Sequence, residues 1–197
     1  SAAHDDHREF FPILVPGGAF STRRAKAQIG DTLYVETEPY GYLTTARFTG
    51  GRHLWMLASG TGVAPFLSIL RDPETWRRYD ERVLAYSVRE AGDLAYRDEL
   101  AALDGDELLG AGHPPLRFVA IVTREAAAGA LRARLPELIA NGELERAAGL
   151  PFAPDDSRIL VCGNPAMLDD VRDALVARGL RYDRSANPGQ FATENYW

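Results

Sequence analysis

Hydrophobic positions along the chain fall into two regimes that meet near residue 53. Beyond that point four apolar runs of strand length, 54–58, 83–88, 116–122 and 159–162, carry too few polar positions for strands with a solvated face. Near-continuous apolar runs of this kind belong to parallel strands covered on both sides. Between them, apolar residues three and four apart predict helices at about 64–71, 92–103, 135–141 and 166–178, the last with Met167, Val171, Ala174 and Leu175 on one stripe. Alternating strand and helix predict a doubly wound, parallel α/β sheet whose ligands sit at the carboxyl ends of its strands. The stretch 144–158, with Pro151 and Pro154, reads as a surface connection.

The first fifty residues are different. Residues 9–15 are a short β-prone run closed by Pro16-Gly17-Gly18, and 32–36 alternate like a half-buried strand after a turn at Ile29-Gly30-Asp31. A short helix over 21–27, capped by Ser21, is predicted between them. Two or three strands and one helical turn do not close a sheet, because an isolated hairpin is marginal and leaves its edges unpaired. The predicted organisation is therefore the end of a larger β domain over residues 1–50, followed by an α/β domain over 51–197.

Three short segments carry candidate chemistry. Gly60-Thr61-Gly62-Val63-Ala64-Pro65 lies between an apolar strand and a helix, where glycines allow close backbone approach and free N–H groups with the helix dipole suit a pyrophosphate. Pro65 fits the first helical turn, where its missing N–H costs nothing. The segment is not the G-x-G-x-x-G of classical dehydrogenases, and a purely structural strand-to-helix turn is the competing reading. Val161-Cys162-Gly163-Asn164-Pro165 forms a second such junction, and two junctions at one sheet edge can hold the two halves of a dinucleotide. For Cys162 alone, a small buried hydrophobe is the commoner fate. Tyr196-Trp197 ends the sequence; two large aromatics there should dock, either on the protein's own core or as a lid over a flat, π-rich cofactor.

Composition narrows the partners. With 22 Lys+Arg against 28 Asp+Glu the formal charge is -6, which argues against nucleic acid or an anionic membrane surface as ligand. A small anion would then need a local basic pocket. Lys26 is the lone lysine among the basic residues, and arginine is the better bidentate phosphate binder. A single cysteine excludes internal disulfides and Cys-based metal cages, as in a reducing compartment, so a cytoplasmic location is expected. No apolar run approaches the roughly 18 residues of a membrane span.

In this order and spacing, the Gly60–Pro65 turn, the Cys162–Pro165 turn and the final Tyr196-Trp197 resemble the ferredoxin–NADP reductase family. Its members show a G-T-G-x-x-P turn, a later C-G-x-P turn and, in the bacterial flavodoxin/ferredoxin reductase branch, a Tyr-Trp end. The similarity extends through 54–59, 129–136, 142–145 and 191–197. It implies an NADP-binding α/β domain preceded by the C-terminal part of an antiparallel FAD-binding β-barrel. It also implies FAD and NADP(H) as cofactors, no metal, and ferredoxin or flavodoxin as the partner of a monomer. Gly60, Thr61, Gly62, Pro65, Gly163 and Asn164 would line the nucleotide site, and Arg89, Arg124 and Arg134 would meet the adenosine 2'-phosphate. Gly18-Ala19-Phe20-Ser21 looks like the family's G-x-x-S segment, which places Gly18, Phe20 and Ser21 at the FAD pyrophosphate, with Thr61 between the two cofactors. Cys162 and Glu194 would flank the nicotinamide, Glu194 in proton exchange or charge balance, while Tyr196 and Trp197 cover the flavin and Trp197 yields to the nicotinamide. Pro39-Tyr40-Gly41-Tyr42-Leu43 matches the end of the barrel.

The family's main flavin signature, R-x-Y-S/T, is absent, and Ser1-Ala2-Ala3 resembles the stretch just after it. Roughly the first two thirds of the barrel is thus expected to lie outside this sequence, and a chain without it is expected to hold FAD poorly. Two other readings follow: an NADP-binding remnant without flavin, and the reductase component of an oxygenase, which the single cysteine disfavours. Arg23, Arg24, Lys26 and Arg52 could form a docking face for an acidic carrier, although such clusters are more often simply solvated.

Overall fold

The computed structural model describes residues 6–15, 17–36 and 41–195. At its centre six parallel strands, β1 (His53–Ser59), β2 (Glu81–Val88), β3 (Arg117–Val122), β4 (Ala130–Leu131), β5 (Ser157–Cys162) and β6 (Phe191–Glu194), lie in the order β4-β3-β2-β1-β5-β6. The chain starts in the middle at β1, moves outward through β2, β3 and β4, then crosses back so that β5 and β6 build the other half. The reversal falls between β1 and β5, and a doubly wound sheet opens its ligand crevice at such a point. There Ala58 of β1 is in register with Tyr86 of β2 on one side and Cys162 of β5 on the other.

Side chains alternate across a strand, so a sheet covered on both faces needs apolar residues at both parities. Leu54, Met56, Ala58, Leu84, Tyr86, Leu160 and Cys162 join one buried cluster with Phe66, Leu67 and Leu70 of α2 (Ala64–Leu70) and Trp76 of α3 (Pro73–Arg78). Trp55, Leu57, Val83, Ala85, Ile159 and Val161 face the opposite cluster, with α5 (Leu135–Ala140), α6 (Glu143–Ala148) and α7 (Pro165–Ala177).

Several expectations need correction. The runs 9–15 and 32–36 carry no β-ladder: among the described residues no strand pairs with them, and extended backbone without a partner does not become a sheet. The helix expected over 21–27 is α1 (Ala19–Arg24), with Gly18 and not Ser21 at its N-cap. The helix expected over 92–103 is broken into a 310 turn (Ala91–Asp93) and α4 (Arg97–Ala102), separated by Tyr96 in the left-handed region at φ 63°. The stretch 144–158 is not a plain surface connection, since α6 lies within it and Leu144, Ala148, Leu150 and Phe152 are buried. Neither α3 nor the short strands β4 and β6 were expected; β4 has two residues and β6 four, below the length at which periodicity speaks.

Candidate nucleotide site

The turns leaving β1 and β5 meet. A Cβ built on Gly62 would overlap the Cys162 carbonyl and lie 2.9 Å from the Gly163 Cα, so one turn's backbone is packed directly on the other's. Gly163 has φ 152°, and a Cβ there would overlap the Ser59 hydroxyl and lie 2.8 Å from Met167 Cε. Ser59 Oγ in turn accepts from the Asn164 backbone N–H at 3.2 Å, tying the end of β1 to the start of α7. Asn164 is the N-cap of α7, its side-chain oxygen accepting from Ala166 and Met167 N–H at 3.0 and 3.4 Å. Pro65 stands in the first turn of α2, as its missing donor permits. Cys162 is fully buried in the apolar cluster beneath these turns.

Basic residues gather along the same carboxyl edge. Arg89 follows β2 and Arg124 follows β3, and the Arg124 N–H donates to the Arg89 carbonyl at 3.0 Å. Arg134 stands at the N-cap of α5, three residues after β4. All three side chains are exposed, and among the described residues none makes a hydrogen bond or ion pair. At about 4.8 Å per strand, the ends of β5 and β3 lie about 15 Å apart, so the Gly turns and the arginine pair lie along one carboxyl edge of the sheet.

A cavity of about 610 Å³ brings the early segment to the first turn: Phe10, Phe11, Gly18, Phe20 and Ser21 share its lining with Thr61 and Ala64. Ser21 is buried, its hydroxyl donating to the Val15 carbonyl at 2.9 Å, which leaves only its acceptor lone pairs for a ligand. The early segment is pinned by ion pairs and an aromatic contact. Arg71 Nη1 donates to Glu9 at 2.7 Å and Arg71 Nε to Glu99 at 2.9 Å, while the Tyr96 hydroxyl donates to Glu9 at 3.0 Å. The Tyr96 ring meets Phe11 edge-on at 5.1 Å. The Arg71 hydrogen bond holds the Glu9 carboxyl below the usual carboxylate range, and burial, with Glu9 beside it, pushes the Tyr96 hydroxyl up to about 12.

Glu194 ends β6, at the opposite side of the same sheet edge. Its Oε2 accepts from the Tyr42 N–H at 2.6 Å, and a Cβ on Gly41, at φ 113°, would lie 2.7 Å from its Oε1. Arg52, by contrast, precedes β1 at the amino edge and pairs with Asp80 and Asp156, so it does not join Arg23 and Arg24 in one face.

Sequence comparison resolves what this site belongs to. Residues 56–173 match the family model described as an oxidoreductase NAD-binding domain. The chain is 40% identical over 200 residues to ferredoxin–NADP reductase A of Sorangium cellulosum, covering 98% of this chain and 70% of that protein. Against flavodoxin/ferredoxin–NADP reductase of Escherichia coli it is 36% identical over 190 residues, covering 96% and 75%. The chain belongs to the ferredoxin/flavodoxin–NADP reductase family.

It is accordingly an oxidoreductase built on a nicotinamide-nucleotide α/β sheet. A crystal structure of a ferredoxin NADP+ reductase from Neisseria gonorrhoeae with bound FAD and NADP superposes with a TM-score of 0.92 at 37% identity, over 100% of this chain and 77% of that one. Of the residues expected in a reductase site, the structure brings Gly60, Thr61, Gly62, Pro65, Cys162, Gly163 and Asn164 to one switch point, with Arg89, Arg124 and Arg134 farther along the same edge. Gly18, Phe20 and Ser21 join Thr61 across the cavity. Tyr196 and Trp197 lie outside the described residues, as do Pro39 and Tyr40. Sequence reasoning missed Ser59, whose sole signal was a small polar residue ending an apolar strand, and the Tyr42 amide, which has no side-chain signature at all.

Proposed function

We propose that the protein transfers reducing equivalents between NADPH and a one-electron protein carrier, ferredoxin or flavodoxin, by way of FAD, and that it does so in the cytoplasm. One observation carries this reading: the turns after β1 and β5 are in backbone contact at the sheet's switch point, with Arg89 and Arg124 one and two strands beyond β1 on the same edge. The residues fit both groups. A pyrophosphate needs main-chain donors at a helix start, and the 13-residue α7 begins, with Asn164 at its N-cap, where the two turns meet. A flavin needs an apolar cleft with aromatic walls, and the cavity of about 610 Å³ lined by Phe10, Phe11 and Phe20 lies within the usual size range for ligand sites.

When bound, the flavin supplies hydride acceptance from the nicotinamide and single-electron release to the carrier. The chain's own part is binding and orientation. The turn at 60–62 and the Asn164 side-chain amide bind the pyrophosphate, while Arg89, Arg124 and Arg134 recognise the 2'-phosphate with fork-shaped donors. Thr61, lining the flavin-side cavity from the nucleotide turn, sits where the two groups must approach. Buried Cys162 forms an apolar floor under the turns. Residues 1–50 are taken as the end of the flavin-binding domain and 51–197 as the nucleotide domain. Among the described residues no helix is long and apolar enough to cross a membrane.

A second reading, an NADP-binding module without flavin, is favoured by one observation: the runs 9–15 and 32–36 carry no ladder. The absorption spectrum of the purified chain after gel filtration, followed by anaerobic titration with NADPH and a ferredoxin or flavodoxin, separates the readings. Flavin bands that appear on addition of FAD, and NADPH-dependent reduction of the carrier in its presence, are expected. A colourless chain that binds NADP+ leaves the module reading, and a chain that binds neither nucleotide nor flavin refutes both.

A further inference from the structure

The strap 41–47, which leads from the early segment to the sheet, is held from both sides at one residue, Tyr42. Tyr42 N–H donates to Glu194 at 2.6 Å, and Tyr42 C=O accepts from Arg47 Nη1 at 3.2 Å. Arg47 Nε donates in turn to Asp183 Oδ2 at 3.0 Å, and the other Asp183 oxygen accepts from Gly189 N–H at 3.0 Å. Asp183 is itself joined to β6, its N–H donating to the Phe191 carbonyl at 2.7 Å. Thus the two carboxylates that clasp the strap both come from the β6 side of the sheet. On its other flank the strap meets the nucleotide turn: Leu43, Thr44 and Thr45 line a cleft of about 290 Å³ together with Pro65, Ser68 and Ile69 of α2. Leu43 is buried in the same cluster as Cys162 and Ala192.

We propose that Glu194 is a positioning residue: its carboxylate clasps the Tyr42 amide and, through the strap, fixes the spacing between the end of β6 and the Pro65 side of the nucleotide turn. Two features of the site make this more than an incidental contact. The amide hydrogen bond is charge-assisted and short, the class with the larger net stabilisation. Gly41 is at positive φ with its missing side chain facing the Glu194 carboxylate, so the strap comes as close as a chain without a Cβ can. A clasp needs only an acceptor oxygen at residue 194. Proton exchange, the role the family resemblance implies for this residue, needs an ionisable group there.

That difference sets the test. Amide hydrogen exchange at residues 41–47 and NADP+ affinity are measured in the wild type, Glu194→Gln, Glu194→Ala and Gly41→Ala, along with kcat and KM for NADPH. The exchange readout does not depend on the proposed electron-transfer function; the kinetic readout does, so failure of one is distinguishable from failure of the other. In Glu194→Ala the Tyr42 amide should exchange about tenfold faster, the loss of one charge-assisted hydrogen bond. NADP+ binding should weaken several-fold, with KM rising more than kcat falls. Glu194→Gln, whose amide oxygen still accepts, should restore Tyr42 protection and most of the affinity. Gly41→Ala displaces the carboxylate without removing it and should reproduce Glu194→Ala, the two effects being non-additive when combined. Unchanged Tyr42 exchange in Glu194→Ala would overturn the proposal. So would a Glu194→Gln variant as impaired as Glu194→Ala and affected in kcat alone, the pattern of a proton-exchanging group.

Discussion

Gly163→Ala is the most direct probe of how the two turns are joined. The new Cβ would overlap Ser59 Oγ and stand 2.8 Å from Met167 Cε and 3.1 Å from Ser59 Cβ, all closer than a relaxed contact. Met167 can swing its terminal methyl away, but Ser59 can clear the space only by turning its hydroxyl, which gives up the bond to Asn164 N–H. Holding alanine at φ 152° adds strain of about 1–3 kcal/mol, and the lost hydrogen bond adds about 1 kcal/mol. The sum, about 2–4 kcal/mol, should lower the thermal midpoint by roughly 5–15 °C for a chain of this size. The same movement displaces the start of α7 from the turn after β1, so NADP+ affinity should fall in parallel. Calorimetry with a nucleotide titration measures both, and Ser59→Gly in the Gly163→Ala background separates the parts. That second change removes the overlap but not the backbone strain, so it should recover some of the stability and none of the Asn164 bond. A Gly163→Ala protein melting within about 1 °C of the wild type, with unaltered nucleotide affinity, would refute the claim that these turns are sterically locked.

Two further outcomes follow from the charged groups. Arg124→Ala should weaken NADP(H) by about 2 kcal/mol, roughly 30-fold, while NAD(H) changes little, because only the former carries the 2'-phosphate; equal losses for both nucleotides in a competition titration would remove the specificity assignment. Arg71 depresses the Glu9 carboxyl, so the folded form holds that proton less tightly than the unfolded chain does. The contribution of the Glu9–Arg71 pair is therefore complete above the ordinary carboxylate range and is lost as pH falls through the depressed value. Thermal midpoints measured between about pH 6 and pH 3 should fall less steeply for Glu9→Gln than for the wild type. Parallel slopes would mean that the pair does not anchor the early segment.

The parallel strands were legible because each must be apolar at both parities, and this makes 54–58, 83–88, 116–122 and 159–162 visible as runs. The Gly turns were legible for a related reason: close backbone approach excludes other side chains, so the constraint is written as residue type. Elsewhere the cause of the structure lies outside the segment itself. Whether residues 9–15 become a strand depends on a partner, and their own β-prone composition could not supply one. The 144–158 stretch looked like a loop because its prolines are local signals, whereas the burial of Leu144 and Phe152 is decided by the sheet face above them.

Residue types and their order thus determined the α/β layering, the two glycine turns, the basic residues that follow the strands and the family to which the chain belongs. Only the tertiary structure decided that Ser59 joins those turns, that Arg52 lies on the opposite edge from them and that the Glu194 carboxylate is spent on the Tyr42 amide. The physical reason is range. A backbone constraint such as positive φ or a missing Cβ acts on the residue that bears it, but a hydrogen bond across 152 positions exists only once the sheet has brought its two ends together.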